Sequence, residues 1–175
     1  VGVLGVTLTN PGRDVLIGNS GNDLLDGFNG ADIFLPGMGT DLNSGGLGFD
    51  WVTYFNDGQT EGVAEDLGNF APAPGLALAN LADQYQEVEG LSGGDYDDTL
   101  SGTILTTLGG AAVDGLSATD CALITGLSTL LPSTITNCVW NGGDIIIGGA
   151  GSDTITGRNG NDLIDGDAVL QTWIS

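Results

Sequence analysis

Apolar side chains along the first 54 residues come in short runs that are separated by polar, glycine-rich stretches. The central residues of these runs, Leu16, Leu25, Phe34 and Val52, lie at multiples of nine residues from one another. A three-residue run with one inward apolar side chain suits a short β-strand, and a glycine-rich stretch suits a tight turn. Asn43 is the central residue of the fourth run, so we expect that unit to be the weakest. The pattern predicts a stack of very short strands joined by turns.

The middle of the chain keeps short apolar runs but loses the nine-residue spacing. Residues 51–54, 62–67 and 85–91 are predicted to form strands, and the proline-containing segment 70–75 is predicted to form a loop between them. We expect these strands to extend the stack without metal.

Residues 117–131 have the clearest helical pattern of the chain. Four leucines fall on one face, Ser117 or Thr119 can cap the first turn, and Pro132 lies just past the end. The four are Leu123, Leu127, Leu130 and Leu131. We interpret this excursion as a packing element and not as a functional site.

Aspartate and glycine follow the same nine-residue phase as the apolar runs. In the first block an aspartate directly precedes each run, and a glycine lies two places before it. These pairs are Asp14, Asp23, Asp32, Asp41 and Asp50 with Gly12, Gly21, Gly30, Gly39 and Gly48. The phase returns near the end at Asp144, Asp153 and Asp162. A single copy at 93–101 has Asp98 in the aspartate position and Tyr96 in place of the second glycine.

Carboxylates and the carbonyl oxygens of glycine-rich turns are the ligands that calcium prefers, about six to eight at a time. We therefore predict that these nine aspartates bind several Ca²⁺ ions together with turn carbonyls. The carbonyls are expected near Gly12, Gly18, Gly21, Gly27, Gly30, Gly37, Gly39, Gly46, Gly48, Gly149, Gly151, Gly157 and Gly160. Two units make one coil of 18 residues, so alternate aspartates are expected along opposite edges. Asp14, Asp32 and Asp50 would share one edge, and Asp23 and Asp41 the other.

The blocks 18–26, 45–53 and 148–156 resemble the nonapeptide of RTX, or hemolysin-type, calcium-binding proteins. The resemblance implies an all-β fold, a right-handed parallel β-roll, to which the pattern above adds the helical excursion near 117–131. It also implies calcium as the cofactor, export by type I secretion and folding outside the cell. The segment 142–167 is in addition similar to the RTX region of bacterial secreted proteins of the animal-type haem peroxidase family.

We expect one continuous solenoid domain over 1–175 that belongs to a longer polypeptide with neighbouring domains. Val1 is not an initiator methionine, and the first apolar run is too short for a signal or membrane helix. The predicted parts are a first calcium block at 9–54, metal-free coils at 55–92, an isolated repeat at 93–101, a helix-containing excursion at 102–141 and a second calcium block at 142–167.

Charge narrows the possible functions. The chain has 23 acidic residues against two arginines, with no lysine and no histidine, and its formal net charge is −21. Nucleic acid is therefore excluded as a partner, and histidine-dependent catalysis has no candidate residue. Paired carboxylates also serve glycosidases, but in these loops calcium ligation is favoured, so we expect no enzyme activity from this segment. A longer parent polypeptide can still carry an enzyme domain such as a haem peroxidase.

A disordered acidic segment is the alternative to a folded domain. A hydrophobic content of 41% and a mean hydropathy of +0.18 favour a folded chain once calcium is bound. Without calcium the carboxylates repel one another, which favours disorder.

Cys121 and Cys138 bracket the helical excursion. In a secreted protein we expect them to form a disulfide that ties the helix to a strand at 138–140. Two buried free thiols are the alternative, and a zinc site lacks the other ligands.

Two functions follow from these observations. The first is a calcium-binding structural module of a secreted, extracellular or cell-surface protein, which folds on binding calcium and supports a neighbouring domain. The second is an adhesive or matrix-forming solenoid that binds a glycan or self-associates. The outward strand positions are apolar rather than threonine-rich, which argues against ice binding and leaves lateral association or cover by another segment open. These positions are Val15, Leu24, Ile33, Leu42 and Trp51.

Overall fold

The computed structural model describes residues 12–55, 57–69, 83–104, 115–121, 127–131, 138–140 and 143–168. In these ranges the chain forms three-residue strands and two short helices. The strands are β1 (Val15–Ile17), β2 (Leu24–Asp26), β3 (Ile33–Leu35), β4 (Leu42–Ser44), β5 (Trp51–Thr53), β6 (Ala64–Asp66), β7 (Gln84–Gln86), β8 (Gly90–Ser92), β9 (Thr99–Ser101), β10 (Ile145–Ile147), β11 (Thr154–Thr156) and β12 (Leu163–Asp165). The helices are α1 (Ala118–Cys121) and α2 (Leu127–Leu130).

The strands stack into the two faces of a parallel β-roll. One face is a six-stranded sheet in the order β1-β3-β5-β8-β10-β12. The other face consists of two three-stranded sheets, β2-β4-β7 and β6-β9-β11. All strand pairs within the described ranges are parallel, and Leu16 pairs with Phe34, one coil further on. The predicted all-β roll is confirmed.

The inner core lies between the two faces. The central residue of each strand points inward, so each strand contributes one side chain to this core. Phe34, Val52, Leu91, Leu100 and Ile146 are fully buried there. Asn43, the polar residue in the same position of β4, is also fully buried, as its place in the sequence pattern predicts.

A second core lies on the outer side of the six-stranded sheet. Ile33, Trp51 and Ile145 of this sheet pack in one cluster with Leu127 and Leu131 of the helical excursion. The excursion therefore covers the outward positions of β3, β5 and β10. Cover by another segment is one of the two explanations that the sequence pattern offers for the outward apolar residues, the other being lateral association.

Both helices lie inside the range predicted as helical. Ser117 caps α1, because its Oγ accepts a hydrogen bond from the backbone N–H of Asp120 at 3.2 Å. Residues 122–126, 132–137 and the predicted loop 70–75 lie outside the described residues. The burial of Leu127 and Leu131 agrees with the packing role predicted for the excursion.

Two strand predictions were wrong in detail. Residues 138–140 form only an isolated antiparallel bridge, between Trp140 and Leu116. The run 85–91 forms parts of two strands, β7 and β8, because a short turn at Glu87 with φ of 53° separates them.

The order of strands on the second face departs from their order in the chain. β7 pairs with β4, whereas β6, which precedes β7 in sequence, pairs with β9. The two three-stranded sheets therefore meet between β7 and β6, where the backbone N–H of Tyr85 donates to the carbonyl oxygen of Asn69 at 3.0 Å.

Within the described residues, one disulfide and two ion pairs link distant parts of the chain. Cys121 and Cys138 are joined as a disulfide with their Cα atoms 6.1 Å apart. Arg13 forms an ion pair with Asp120 at 2.9 Å, and Arg158 binds both carboxylate oxygens of Asp66. No helix in the described part of the chain is long and apolar enough to cross a membrane.

Candidate metal centre

Carboxylates stack in two rows along the edges of the roll, where the turns join the two faces. On the first edge the backbone N–H of Asp14 donates to Oδ1 of Asp32 at 2.7 Å, and that of Asp32 donates to Asp50 at 2.8 Å. On the second edge the N–H of Asp23 donates to Oδ1 of Asp41 at 2.8 Å. The structure thus places these five aspartates on alternate edges, as the 18-residue coil predicts.

The second block continues both rows. The N–H of Asp144 donates to Oδ1 of Asp162 at 3.1 Å on the first edge. The N–H of Asp98 donates to Oδ1 of Asp153 at 2.9 Å on the second edge. The isolated repeat therefore uses the same arrangement as the regular blocks, although Tyr96 replaces its second glycine.

Two further acidic residues belong to the rows and were missed by the sequence analysis. Asp83 accepts the N–H of Asp41 at 2.8 Å, and Glu89 accepts the N–H of Asp50 at 3.0 Å. Each directly precedes a strand, β7 or β8, as the repeat aspartates do. That position was the available signal in the sequence. Glu89 also lies nine residues before Asp98, whereas Asp83 lies outside the nine-residue spacing.

Several of these carboxylates bury an oxygen that has no hydrogen-bond partner. Oδ1 of Asp32, Asp41 and Asp153 accepts the backbone N–H described above, while Oδ2 of Asp23, Asp32, Asp41 and Asp153 is buried without a hydrogen-bond partner. Burial of an anionic oxygen without a partner is strongly unfavourable. These oxygens therefore mark places where a cation is needed.

Burial also shifts the protonation of the rows. It raises the pKa of Asp32, Asp41 and Asp144 from 3.8 to about 6, because desolvation disfavours the charged form. Burial likewise raises the pKa of Asp98 and Asp162. A bound cation would oppose these shifts by favouring the carboxylate.

The glycines of the turns make room for the carboxylates. A methyl group at Gly27 would collide with Oδ2 of Asp32, and one at Gly148 would collide with Oδ2 of Asp153. The second glycine of a turn packs against a carbonyl oxygen of the neighbouring coil: Gly30, with φ of 121°, lies against the carbonyl oxygen of Gly12. Both predicted kinds of oxygen ligand, carboxylate and carbonyl, therefore lie in the turns.

The predicted glycines divide between the two edges as their turns do. Those on the first edge are Gly12, Gly27, Gly30, Gly46, Gly48, Gly157 and Gly160. Those on the second edge are Gly18, Gly21, Gly37, Gly39, Gly149 and Gly151.

This donor set fits a hard cation with flexible, oxygen-only coordination, which is the chemistry of calcium. No three His, Cys, Asp or Glu side chains of the described residues converge as a metal-binding group. Backbone carbonyl oxygens would therefore have to supply much of the coordination shell.

Comparison with known families agrees with this chemistry. The model of the RTX calcium-binding nonapeptide repeat matches four copies, at residues 8–42 and 141–168. The chain thus carries RTX repeats, which bind Ca²⁺. Comparison with curated proteins and with solved structures gives no significant match.

Proposed function

We propose that the RTX repeats of this chain form a calcium-dependent folding module of an extracellular protein. Proteins with RTX repeats are typically exported by type I secretion. In this proposal the chain stays unfolded at low cytosolic calcium, folds on binding calcium outside the cell, and then supports a neighbouring domain of a longer polypeptide.

The observation that carries the proposal is the set of buried carboxylate oxygens without partners, as in Asp32 and Asp153. We assign the ligand role to the nine repeat aspartates and to carbonyl oxygens of their turns. Calcium, when bound, would supply positive charge beside these oxygens. The chain's own residues fix the carboxylates in place, because the backbone N–H of an aspartate in one coil donates to Oδ1 of the aspartate in the next coil.

The energetic argument supports coupling of binding to folding. Each strand adds only one side chain to the inner core, and the formal charge of −21 opposes compaction. A binding site that exists only in the folded chain converts its binding free energy into folding free energy. Calcium would therefore supply folding free energy that the small inner core does not supply.

Circular dichroism during a calcium titration tests this proposal. The spectrum should change from mostly coil in excess EGTA to β-rich in millimolar calcium. Magnesium should be much less effective, because it requires near-octahedral geometry and retains water ligands. A chain that is equally folded in EGTA would contradict the proposal.

We propose no catalytic role for this segment. The sequence has no histidine, and its one methionine, Met38, lies exposed in a turn of the second edge, so an axial haem ligand has no good candidate. A stoichiometric haem absorbance band with peroxidase turnover, measured in saturating calcium, would contradict this assignment. Attachment to a peroxidase domain stays a prediction.

The adhesive alternative has less support. Ile33 and Trp51, on the six-stranded face, are buried by the excursion, whereas Val15 on the same face and Leu24 on the opposite face are exposed. Sedimentation in saturating calcium separates the two functions: a monomer is expected, and self-association would favour the alternative.

A further inference from the structure

The nine-residue phase continues for one turn beyond Asp50, but two of its residues have changed. Tyr54 stands at the position where Gly27 and Gly45 open their turns, and Gln59 stands nine residues after Asp50. The turn thus lacks a glycine at its first position, as the turn opened by Pro36 also does, and its aspartate, Asp57, lies two residues before the repeat position.

The Tyr54 side chain reaches the second-edge row. Asp83 holds the N–H of Asp41 through Oδ1, as Asp41 holds that of Asp23. Oδ2 of Asp41 is buried without a partner, whereas Oδ2 of Asp83 accepts a hydrogen bond from the Tyr54 hydroxyl at 2.6 Å. Tyr54 is 2% exposed, so this bond is shielded from water. In Asp83 the hydroxyl therefore satisfies the oxygen that is left without a partner in Asp41.

The bond belongs to a chain of four side chains. The hydroxyls of Tyr54 and Tyr85 lie 2.5 Å apart, and the Tyr85 hydroxyl lies 2.6 Å from Oε2 of Glu65. The two buried phenols thus link the carboxyl group of Asp83 to that of Glu65, so hydroxyl groups fill the space between these two carboxyls at this level of the roll.

Gln59 replaces a carboxylate by a neutral donor. Its Nε2 donates to the carbonyl oxygen of Gly37, in the preceding turn of the same edge, at 2.7 Å. The two altered residues therefore both direct hydrogen-bond donors at oxygen atoms of the second edge.

We propose that Tyr54 and Gln59 take the place of a calcium ion at this level of the roll, so that Asp83 is held by a hydroxyl and not by metal. This inference rests on the proposed function, because it takes the repeat carboxylates as calcium ligands. It explains how the row of carboxylates on the second edge continues from Asp41 to Asp98, although the segment between these residues lacks the nonapeptide pattern.

The first test removes only the hydroxyl. In saturating calcium, Tyr54→Phe should lower the melting temperature by roughly 5 °C or more, because a buried carboxylate oxygen loses its donor. Tyr96→Phe is the matched control, since Tyr96 lines the same cavity of about 250 Å³ but is 43% exposed. Equal melting of the two variants would overturn the inference.

The second test restores the repeat residues. The double variant Tyr54→Gly with Gln59→Asp should bind one more calcium ion per chain than the unaltered protein, as counted by equilibrium dialysis. A double variant that is folded by circular dichroism and binds no additional calcium would overturn the inference. If it does not fold, the comparison of Tyr54→Phe with Tyr96→Phe decides. An unaltered chain that binds no calcium would instead refute the proposed function, which keeps the two failures distinct.

Discussion

Asp26 and Asp32 lie six residues apart and have opposite surroundings. Asp32 is fully buried, holds the N–H of Asp14, and has a second oxygen without a partner. Asp26 ends β2 on the exposed side of the roll. The carboxylate of Asp26 is open to solvent, whereas in the proposed function that of Asp32 binds calcium.

Replacing each aspartate by alanine should separate these roles. Asp32→Ala should raise the calcium concentration at the folding midpoint by roughly tenfold or more, equivalent to about 1.4 kcal/mol. Asp26→Ala, which removes the same charge, should leave that midpoint nearly unchanged. Calcium titrations followed by circular dichroism measure both, and equal midpoints would show that the assigned register is wrong.

Glu65 gives the fold a dependence on pH. Burial, followed by the nearby charge of Asp83, raises the pKa of Glu65 from 4.5 to about 8. The folded state therefore binds this proton more tightly than the unfolded state. Its contribution to stability is fully present below about pH 4.5 and is lost as the pH rises through 8.

A neutral side chain at position 65 should remove this loss of stability at high pH. In saturating calcium, Glu65→Gln should melt higher than the unaltered chain at pH 9 and close to it at pH 5. Glu61→Gln is the control, because Glu61 is exposed and the substitution removes the same charge. The prediction fails if the two variants show the same pH dependence of the melting temperature.

At the scale of elements, the nine-residue phase predicts β1 to β5 and β10 to β12, because each turn and strand depends on residues within one repeat. The phase does not predict Asp83, and it reaches Glu89, nine residues before Asp98, only if glutamate is accepted in place of aspartate. Their positions are set by bonds to residues 42 and 39 positions away, across a segment of irregular length. The chain from Asp83 to Glu65 was missed for the same reason: it forms where β7 and β6 meet, and no local pattern brings these strands together.

The sequence pattern of the helical excursion predicts a buried face, but it does not predict which surface that face packs against. Its leucines predict that one face is buried, and the apolar outward residues Ile33 and Trp51 indicate either lateral association or cover by another segment. Neither pattern alone predicts that these two surfaces contact each other. The structure joins them in one cluster that also contains Cys121.

Removing the disulfide should loosen this cover. The bond closes a loop with a sequence separation of 17 residues, for which about 3 kcal/mol of stabilisation is expected. The variant with Cys121→Ser and Cys138→Ser should melt roughly 6–12 °C lower and shift the fluorescence of buried Trp51 to longer wavelength. Ser128→Ala, at an exposed position of α2, serves as the control. Unchanged melting and fluorescence in the serine variant would contradict the role assigned to the disulfide.

At the scale of the molecule, the six-stranded sheet connects the two blocks of repeats. β8 pairs with β5 on one side and with β10 on the other, and the excursion contacts strands of both blocks. The described coils therefore share one ladder and one outer core.

We expect the two blocks to unfold together. Asp32→Ala in the first block and Asp153→Ala in the second should lower the same single transition, with far-ultraviolet dichroism and tryptophan fluorescence coinciding. Separate transitions, each sensitive to one substitution, would show that the blocks are independent, as weakly coupled repeats can be.

Arg13 and Arg158, the only basic residues of the chain, both lie in turns of the first edge, one in each block. A protease that cuts after basic residues therefore has two peptide bonds to attack, Arg13–Asp14 and Arg158–Asn159. Each arginine is held by an ion pair to Asp120 or Asp66 in the folded chain, so cleavage requires local opening of its own turn. The sequence of fragments released as calcium is withdrawn would thus report which end of the roll opens first, without any label or substitution.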